Sequence, residues 1–277
     1  MLMYGAIIGD IAGSRFEFDN HRDKRFTLFH PLGFVTDDTV MSLALAQAVM
    51  EADRLMPLRG PDYELLLAQK AVSCMKSIGR HYPDCGYGGR FYRWMFSARS
   101  QPYNSFGNGA AMRVSAAGLA ARTLEEALAM SDALTAVTHN HPEGIKGARA
   151  TTLCIFLARQ GHSQADIRRR VEQEYYRLDM TVEGLRPVYR FDATCQGTVP
   201  QAIVCFLEAT SFEDAIRNAI SIGGDSDTIG AITGAIAQAY FGVPEDMKEQ
   251  AAGYLDERLL AILADWDASG LGQGRPT

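Results

Sequence analysis

The sequence predicts an all-α protein, and three observations carry that expectation. Capped starts of amphipathic or Ala-rich stretches recur along the chain, alternating β-branched runs are nearly absent, and two segments are apolar around most of a helical circumference. The chain has 277 residues, 47% hydrophobic and 22% charged, which is ordinary globular composition and argues against a disordered or fibrous chain. No Pro/Ser-rich linker, charge block, short-period repeat or low-complexity segment divides it. A compact single domain over residues 1–277, a multi-helix bundle, is therefore expected.

Taken in order, residues 39–50 read T-V-M-S-L-A-L-A-Q-A-V-M and lack a polar face, which places that helix in the core. Thr123 with Glu126, and Ser211 with Asp214, sit where an N-cap and its third-position acid belong. Pro142 fits a first helical position, and Ser163 fits as the cap of a helix over 164–178. Residues 229–240 (I-G-A-I-T-G-A-I-A-Q-A-Y) form the second helix without a polar face. Gly230 and Gly234 leave a flat strip on it, and glycine inside a helix costs about 1 kcal/mol relative to alanine, so close packing of a neighbour is the expected compensation. Pro244 opens a last helix over 244–266, with Glu245 and Asp246 near its positive end. Residues 180–200 read as a long loop punctuated by Gly184, Pro187, Gly197 and Pro200, of a length that tends to be functional. The best strand candidate, Tyr189-Arg190-Phe191, is short.

Composition excludes several function classes. With 27 Lys+Arg against 33 Asp+Glu the net charge is −6, so the electrostatic footprint of a nucleic-acid binder is not expected. Five cysteines without a C-x-x-C pair suit a reducing compartment and suggest neither a disulfide framework nor a zinc knuckle. The N-terminus has no basic leader, and the longest apolar stretch, 229–242, is interrupted by Gln238 and too short for a membrane span. A cytoplasmic location without a membrane partner follows as the expectation.

The chemistry concentrates where the two apolar helices begin. One is preceded by Thr36-Asp37-Asp38-Thr39, the other by Asp225-Ser226-Asp227-Thr228. Taken singly, each cluster reads as helix capping. Taken together they resist that reading, because one carboxylate suffices as a cap and a second adds only repulsion. If both helices are buried, four carboxylates start inside the protein with no Arg or Lys in their own motifs. Uncompensated buried charge costs several kcal/mol per ion, so each group must protonate or find a cation. Hard oxygen ligands with threonine hydroxyls suit Mg²⁺, Mn²⁺ or Ca²⁺, and four negative charges balance two divalent ions. Glu17 and Asp10, in G-D-I-A-G-S-R-F-E, are further acids near a glycine-containing turn; their alternatives are a solvated surface glutamate and a structural hydrogen-bond acceptor.

Other segments offer anion-binding chemistry. Ser105-Phe106-Gly107-Asn108-Gly109 is a glycine-rich turn opening a helix, able to cradle a phosphate or to serve packing alone. Phe106 could stack an aromatic base or be core. Pro83-Asp84-Cys85-Gly86-Tyr87-Gly88-Gly89 reads as a second mobile or ligand-approaching loop. His139, in T-H-N-H-P, is read as a donor to an anionic ligand, with a structural histidine as its alternative. No G-x-S-x-G or Cys–His motif supports a covalent nucleophile.

These motifs, in the order G-A-I-I-G-D-I-A-G-S-R-F-E, F-V-T-D-D-T, G-Y-G, F-G-N-G-A-A-M-R, T-H-N-H and G-G-D-S-D-T-I-G-A-I-T-G-A-I-A-Q-A-Y-F-G, resemble the ADP-ribosylglycohydrolase family over most of the chain. The resemblance implies an all-α fold of that type with two divalent metal ions, Mg²⁺ or Mn²⁺, at the bottom of a cleft. It implies Thr36, Asp37, Asp38, Asp225, Asp227 and Thr228 as metal ligands, and Glu17 as the mobile glutamate near them. It implies Gly86, Ser105, Gly107, Asn108 and Gly109 around the diphosphate and proximal ribose, His139 on phosphate, and Phe106 against adenine. The implied reaction is hydrolysis at C1″ of the distal ribose of an ADP-ribosylated protein or small molecule, with arginine N-linkage favoured and serine or metabolite linkage as alternatives. Glu17 or a metal-linked aspartate, Asp38 or Asp227, would handle the proton. A non-catalytic ADP-ribose-binding module and a two-metal phosphohydrolase are the competing readings.

Overall fold

A computed structural model describes residues 3–272. Among them the chain is all-helical: α1 (Tyr4–Ser14), α2 (Asp37–Leu55), α3 (Pro61–Gly79), α4 (Gly89–Phe96), α5 (Gly109–Met112), α6 (Ser115–Ala120), α7 (Leu124–Thr135), α8 (Pro142–Arg159), α9 (Gln164–Glu174), α10 (Val182–Leu185), α11 (Cys195–Leu207), α12 (Phe212–Ser221), α13 (Ser226–Phe241), α14 (Glu245–Ala252) and α15 (Glu257–Ala268). No helix among the described residues is long and apolar enough to cross a membrane.

The two helices without a polar face are the centre of the bundle. In α13 every residue from Ser226 to Ala239 is buried, and α2 is buried along most of its length. Around α13 pack α1, α12, α11 and α8. The neighbour on the glycine strip is α1, which carries glycines of its own at Gly5, Gly9 and Gly13. A methyl group built on Gly9 would overlap the Gly230 carbonyl, and one on Gly234 would overlap the Gly5 carbonyl. Backbone touches backbone along this seam, so alanine at these positions would separate the helices. Gln238, the polar residue in the apolar run, is buried and accepts the Gly5 amide, an orphan donor at the start of α1.

The sequence-predicted caps at Thr123, Ser163 and Ser211 all accept first-turn amides, and Pro142 is the first residue of α8. Three expectations need correction. Pro244 does not open one helix over 244–266: α14 ends at Ala252, a turn follows, and Asp256 accepts the Leu259 amide to start α15. The 180–200 segment is not one loop. Thr181 caps the single turn α10, and Thr194 caps α11, which carries Pro200 inside it and buries Val199, Ile203 and Phe206. The helix after Ser163 stops at Glu174 rather than 178. Tyr189-Arg190-Phe191 forms no strand; the β-type pairing recorded nearby is an isolated bridge between Gly107 and Thr194.

Candidate active site

The aspartates of neither cluster cap their helix through their side chains. At α2 the cap is Thr36, whose Oγ1 accepts the Asp38 amide at 3.2 Å. At α13 Asp225 occupies the N-cap position, but its side chain caps nothing and accepts instead from Asn108 Nδ2 at 2.6 Å. The two helix starts converge: Thr228 Oγ1 donates to Asp38 Oδ2 at 3.1 Å across 190 residues of sequence. Glu17, in the turn that follows α1, reaches the same place, and carboxylate oxygens of Glu17, Asp225 and Asp227 lie within 4.8 Å of one another. Asp225 is delivered by Gly223 and Gly224, both at positive φ, with the Tyr189 ring packed where a Gly224 side chain would stand.

Asp10 is not in a turn. It lies in α1, fully buried, and acts as a tie between helices. Its Oδ2 accepts the Thr36 and Thr39 amides at 3.0 and 3.1 Å, and its Oδ1 accepts the Thr36 hydroxyl at 2.7 Å. The reading of Asp10 as a hydrogen-bond acceptor agrees with this geometry, and what it anchors is the metal-type motif itself.

The electrostatics of the cluster are those of crowded anions away from water. Burial, then neighbouring carboxylates, push the Asp37 carboxyl up to about 8 and Glu17 up to about 7. Asp10 is raised to about 6 by burial alone, against the lowering effect of its threonine hydrogen bonds. Asp38 and Asp227 are raised well above the carboxylate range, again first by burial and then by their acidic neighbours. Among the described residues none of the five carboxylates at the cavity enters an ion pair. Asp38 Oδ1 and Asp227 Oδ1 are buried and accept no hydrogen bond. Orphaned carboxylate oxygens of this kind, with hydroxyls beside them and no soft donor, fit hard divalent cations.

A cavity of about 370 Å³ opens over the cluster. Glu17, Asp37, Asp38, Asp225, Asp227 and Thr228 line its acidic part. Gly86, Ser105, Gly107, Asn108, Gly109 and His139 also line it, and Gly86 stands beside Asp37. Two predicted residues are not in its wall. Thr36 lies behind Asp38 against Asp10, and Phe106 is partly exposed with its ring 5.1 Å from that of His141. In the glycine turn the Gly107 amide donates to Ser105 Oγ and the Asn108 amide to the Ala193 carbonyl, so part of its donor capacity stabilises the turn itself.

Two cations in the wall escaped the sequence reading. Arg90 donates to the Tyr103 carbonyl beside the cavity. Arg113, 1% exposed, donates through Nη2 to Thr138 Oγ1 at 2.6 Å and to His139 Nδ1 at 3.1 Å. Guanidinium only donates, so His139 Nδ1 must accept and the ring proton sits on Nε2. Burial and the Arg113 charge push the His139 pKa well below its usual value, which keeps the ring neutral. The Nε2 edge faces Gly107 and Gly109. The cavity is thus acidic where α2 and α13 begin, and has cations and a neutral N–H donor at the glycine turn. Arg113 closes the F-G-N-G-A-A-M-R motif, but nothing in the spacing revealed that it turns inward.

The family model for ADP-ribosylglycohydrolase matches residues 1–275. The chain belongs to the ADP-ribosylglycohydrolase family. This glycohydrolase is 27% identical to ADP-ribosylhydrolase ARH3 of Homo sapiens, over 93% of this chain and 90% of that protein. It is 26% identical to the ADP-ribosyl-dinitrogen reductase glycohydrolase of Rhodospirillum rubrum, over 77% of this chain and 71% of that one. A solved structure described as an ADP-ribosylglycohydrolase-related protein complex shares the fold, with a TM-score of 0.66 at 21% identity over 99% of this chain and 95% of the other. The chain is accordingly an enzyme of the ADP-ribosyl glycohydrolase class.

Proposed function

We propose that this glycohydrolase cleaves the bond between C1″ of the distal ribose and an acceptor, with arginine N-linkage favoured, and that it does so with two divalent ions, Mg²⁺ or Mn²⁺. The observation that carries the reading is the convergence of five carboxylates on one cavity, none of them in an ion pair among the described residues. Asp37, Asp38, Asp225, Asp227 and Thr228 are the ligands assigned from the two helix starts. Thr36, a ligand by the same motif, lies behind Asp38 outside the cavity wall; its hydroxyl donates to Asp10 and accepts the Asp38 amide, so its part is to hold the start of α2 in place. Such ions would supply charge neutralisation and Lewis acidity at the ribose hydroxyls.

The chain's own groups have distinct tasks. Glu17 is half-buried, stands on a turn rather than on a helix start, and has a carboxyl raised to about 7, which suits it to hold and pass a proton at the departing atom or the attacking water. Asp38 and Asp227 keep negative charge beside the sugar, where an oxocarbenium-like transition state gains from it. At the other part of the cavity His139 donates from Nε2 to a phosphate oxygen, with Arg113 behind it and Arg90 beside it. Ser105, Gly107, Asn108, Gly109 and Gly86 surround the diphosphate and proximal ribose, and Phe106 offers an exposed ring to adenine.

Mass spectrometry of the products tests the reading, with arginine-, serine- and metabolite-linked ADP-ribose offered in Mg²⁺ or Mn²⁺. Intact ADP-ribose released only with metal supports it. Inorganic phosphate or AMP would make the chain a phosphohydrolase, and binding without turnover across the panel would make it a non-catalytic module.

A further inference from the structure

Two phenylalanines stand exposed beside Glu17 and the cavity wall. Phe18 follows Glu17 directly and is 81% exposed; Phe191 lines the cavity and is 45% exposed. Their rings lie nearly parallel, 25° apart with centroids 5.8 Å from each other, although one follows α1 and the other lies between α10 and α11. The residues around them are tied down. Phe16 is buried against His21, and the Asp19 amide donates to the Phe16 carbonyl. Tyr189 packs on Gly224, its hydroxyl donates to the Gly197 carbonyl at 2.7 Å, and its own carbonyl accepts from Arg22. The Ala193 carbonyl accepts the Asn108 amide. Both rings are therefore held at the mouth while their apolar faces go unused by the core, an arrangement that points to a ligand.

We infer that Phe18 and Phe191 are specificity-determining residues that stack the leaving group, and that the leaving group they fit is a planar cation, a guanidinium. The inference rests on the proposed reaction and adds the side of the site that meets the acceptor. Placement selects the leaving group as the occupant: Phe18 directly follows Glu17, whose carboxylate meets those of Asp225 and Asp227, and Phe191 lines the same cavity, whereas His139 stands with Arg113 against the glycine turn, where the diphosphate belongs. Charge selects the cation, because Glu17 and the exposed Asp19 flank Phe18 on the chain. Two nearby guanidiniums do not compete: Arg22 is engaged with the Ile222 and Tyr189 carbonyls, and Arg15 lies over the Phe16 ring at 4.0 Å. Arg190 is the exposed cation on this segment, adjacent in sequence to Phe191. A guanidinium stacks on an aromatic face in a way that a serine hydroxyl does not.

The experiment compares F18L/F191L with F18Y/F191Y, each loaded with Mg²⁺ or Mn²⁺, on one peptide carrying ADP-ribose on arginine or on serine. The leucine pair keeps apolar area and loses the π face; the tyrosine pair keeps both. The expected result for the leucine pair is a fall of about tenfold in kcat/KM on the arginine-linked peptide. Tyrosine should restore it, turnover of the serine-linked peptide should change little, and the Kd for free ADP-ribose should not move. An equal loss on both linkages or no loss on either overturns this inference and leaves the proposed reaction standing; a wild-type enzyme that cleaves only the serine linkage overturns this inference and the arginine preference, and leaves the cleavage at C1″ standing. A wild-type enzyme that releases ADP-ribose from neither overturns both.

Discussion

Removing divalent metal should make this protein less stable as pH rises, and the structure sets the window. A carboxyl whose pKa is higher folded than unfolded binds more protons in the folded state between those two values, so stability falls with pH across that interval. For Asp10 the interval runs from 3.8 to about 6, for Glu17 from 4.5 to about 7 and for Asp37 from 3.8 to about 8. Asp10 is fully buried, and its shift alone corresponds to about 3 kcal/mol. In a chain of this size that lowers Tm by about 6–12 °C. The assay is a thermal melt of chelator-treated protein between pH 4.5 and 8.5, repeated with saturating Mg²⁺ or Mn²⁺. Metal-free protein should melt progressively lower from pH 4.5 to 8, and metal should restore most of the loss above pH 6, where the ligands give up their protons readily. A metal-free melting temperature that is flat or rising over that window, or that metal leaves unchanged at pH 8, would refute the account of the site as crowded anions awaiting a cation.

Asp38→Asn and Asp227→Asn should each reduce kcat/KM by about 100-fold or more while raising the metal-free Tm at pH 8, because each removes a ligand and relieves a repulsion; steady-state assays and melts on the same samples check both signs. Gly9→Ala should destabilise by about 1–3 kcal/mol in chemical denaturation, since its methyl meets the Gly230 carbonyl. Gly60→Ser, with open space around it and a helix N-cap role, should be neutral or mildly stabilising in the same experiment. Arg113→Met should weaken ADP-ribose binding about tenfold by calorimetry, with Arg113→Lys intermediate, because Arg113 donates to His139 Nδ1 and places positive charge behind the ring that meets the phosphate; unchanged affinity in both would show that the buried guanidinium plays no part in binding.

Local signals in the chain were sufficient for the helical class and for the acids. Caps such as Thr123, Ser163 and Ser211 act within one turn, so a hydrogen bond three residues long is legible in the residues that make it. The same holds for the all-apolar stretches of α2 and α13, whose lack of a polar face requires burial, and for the surplus carboxylates at their starts, which exceed what capping uses. Boundaries failed where burial overrode a local breaker. Pro200 reads as loop punctuation, yet α11 runs through it because Thr194 starts the helix and Val199, Ile203 and Phe206 bury its face. The break between α14 and α15 carries its own local markers, Gly253 as the C-cap of one helix and Asp256 as the N-cap of the next, which the apolar pattern running on to Trp266 obscured.

What the amino-acid order determined by itself was thus chemistry with a short range: which stretches coil, which must be buried, and which carry more negative charge than a helix end can use. Tertiary structure alone decided the pairings across long separations. It chose α1 as the partner of the α13 glycine strip, made Asp10 the tie that holds Thr36, turned Arg113 inward to set the His139 proton, and brought Phe18 against Phe191. The physical reason is that each of these contacts joins elements whose relative placement follows from packing of the whole core, and no periodicity along the chain encodes which surfaces will meet.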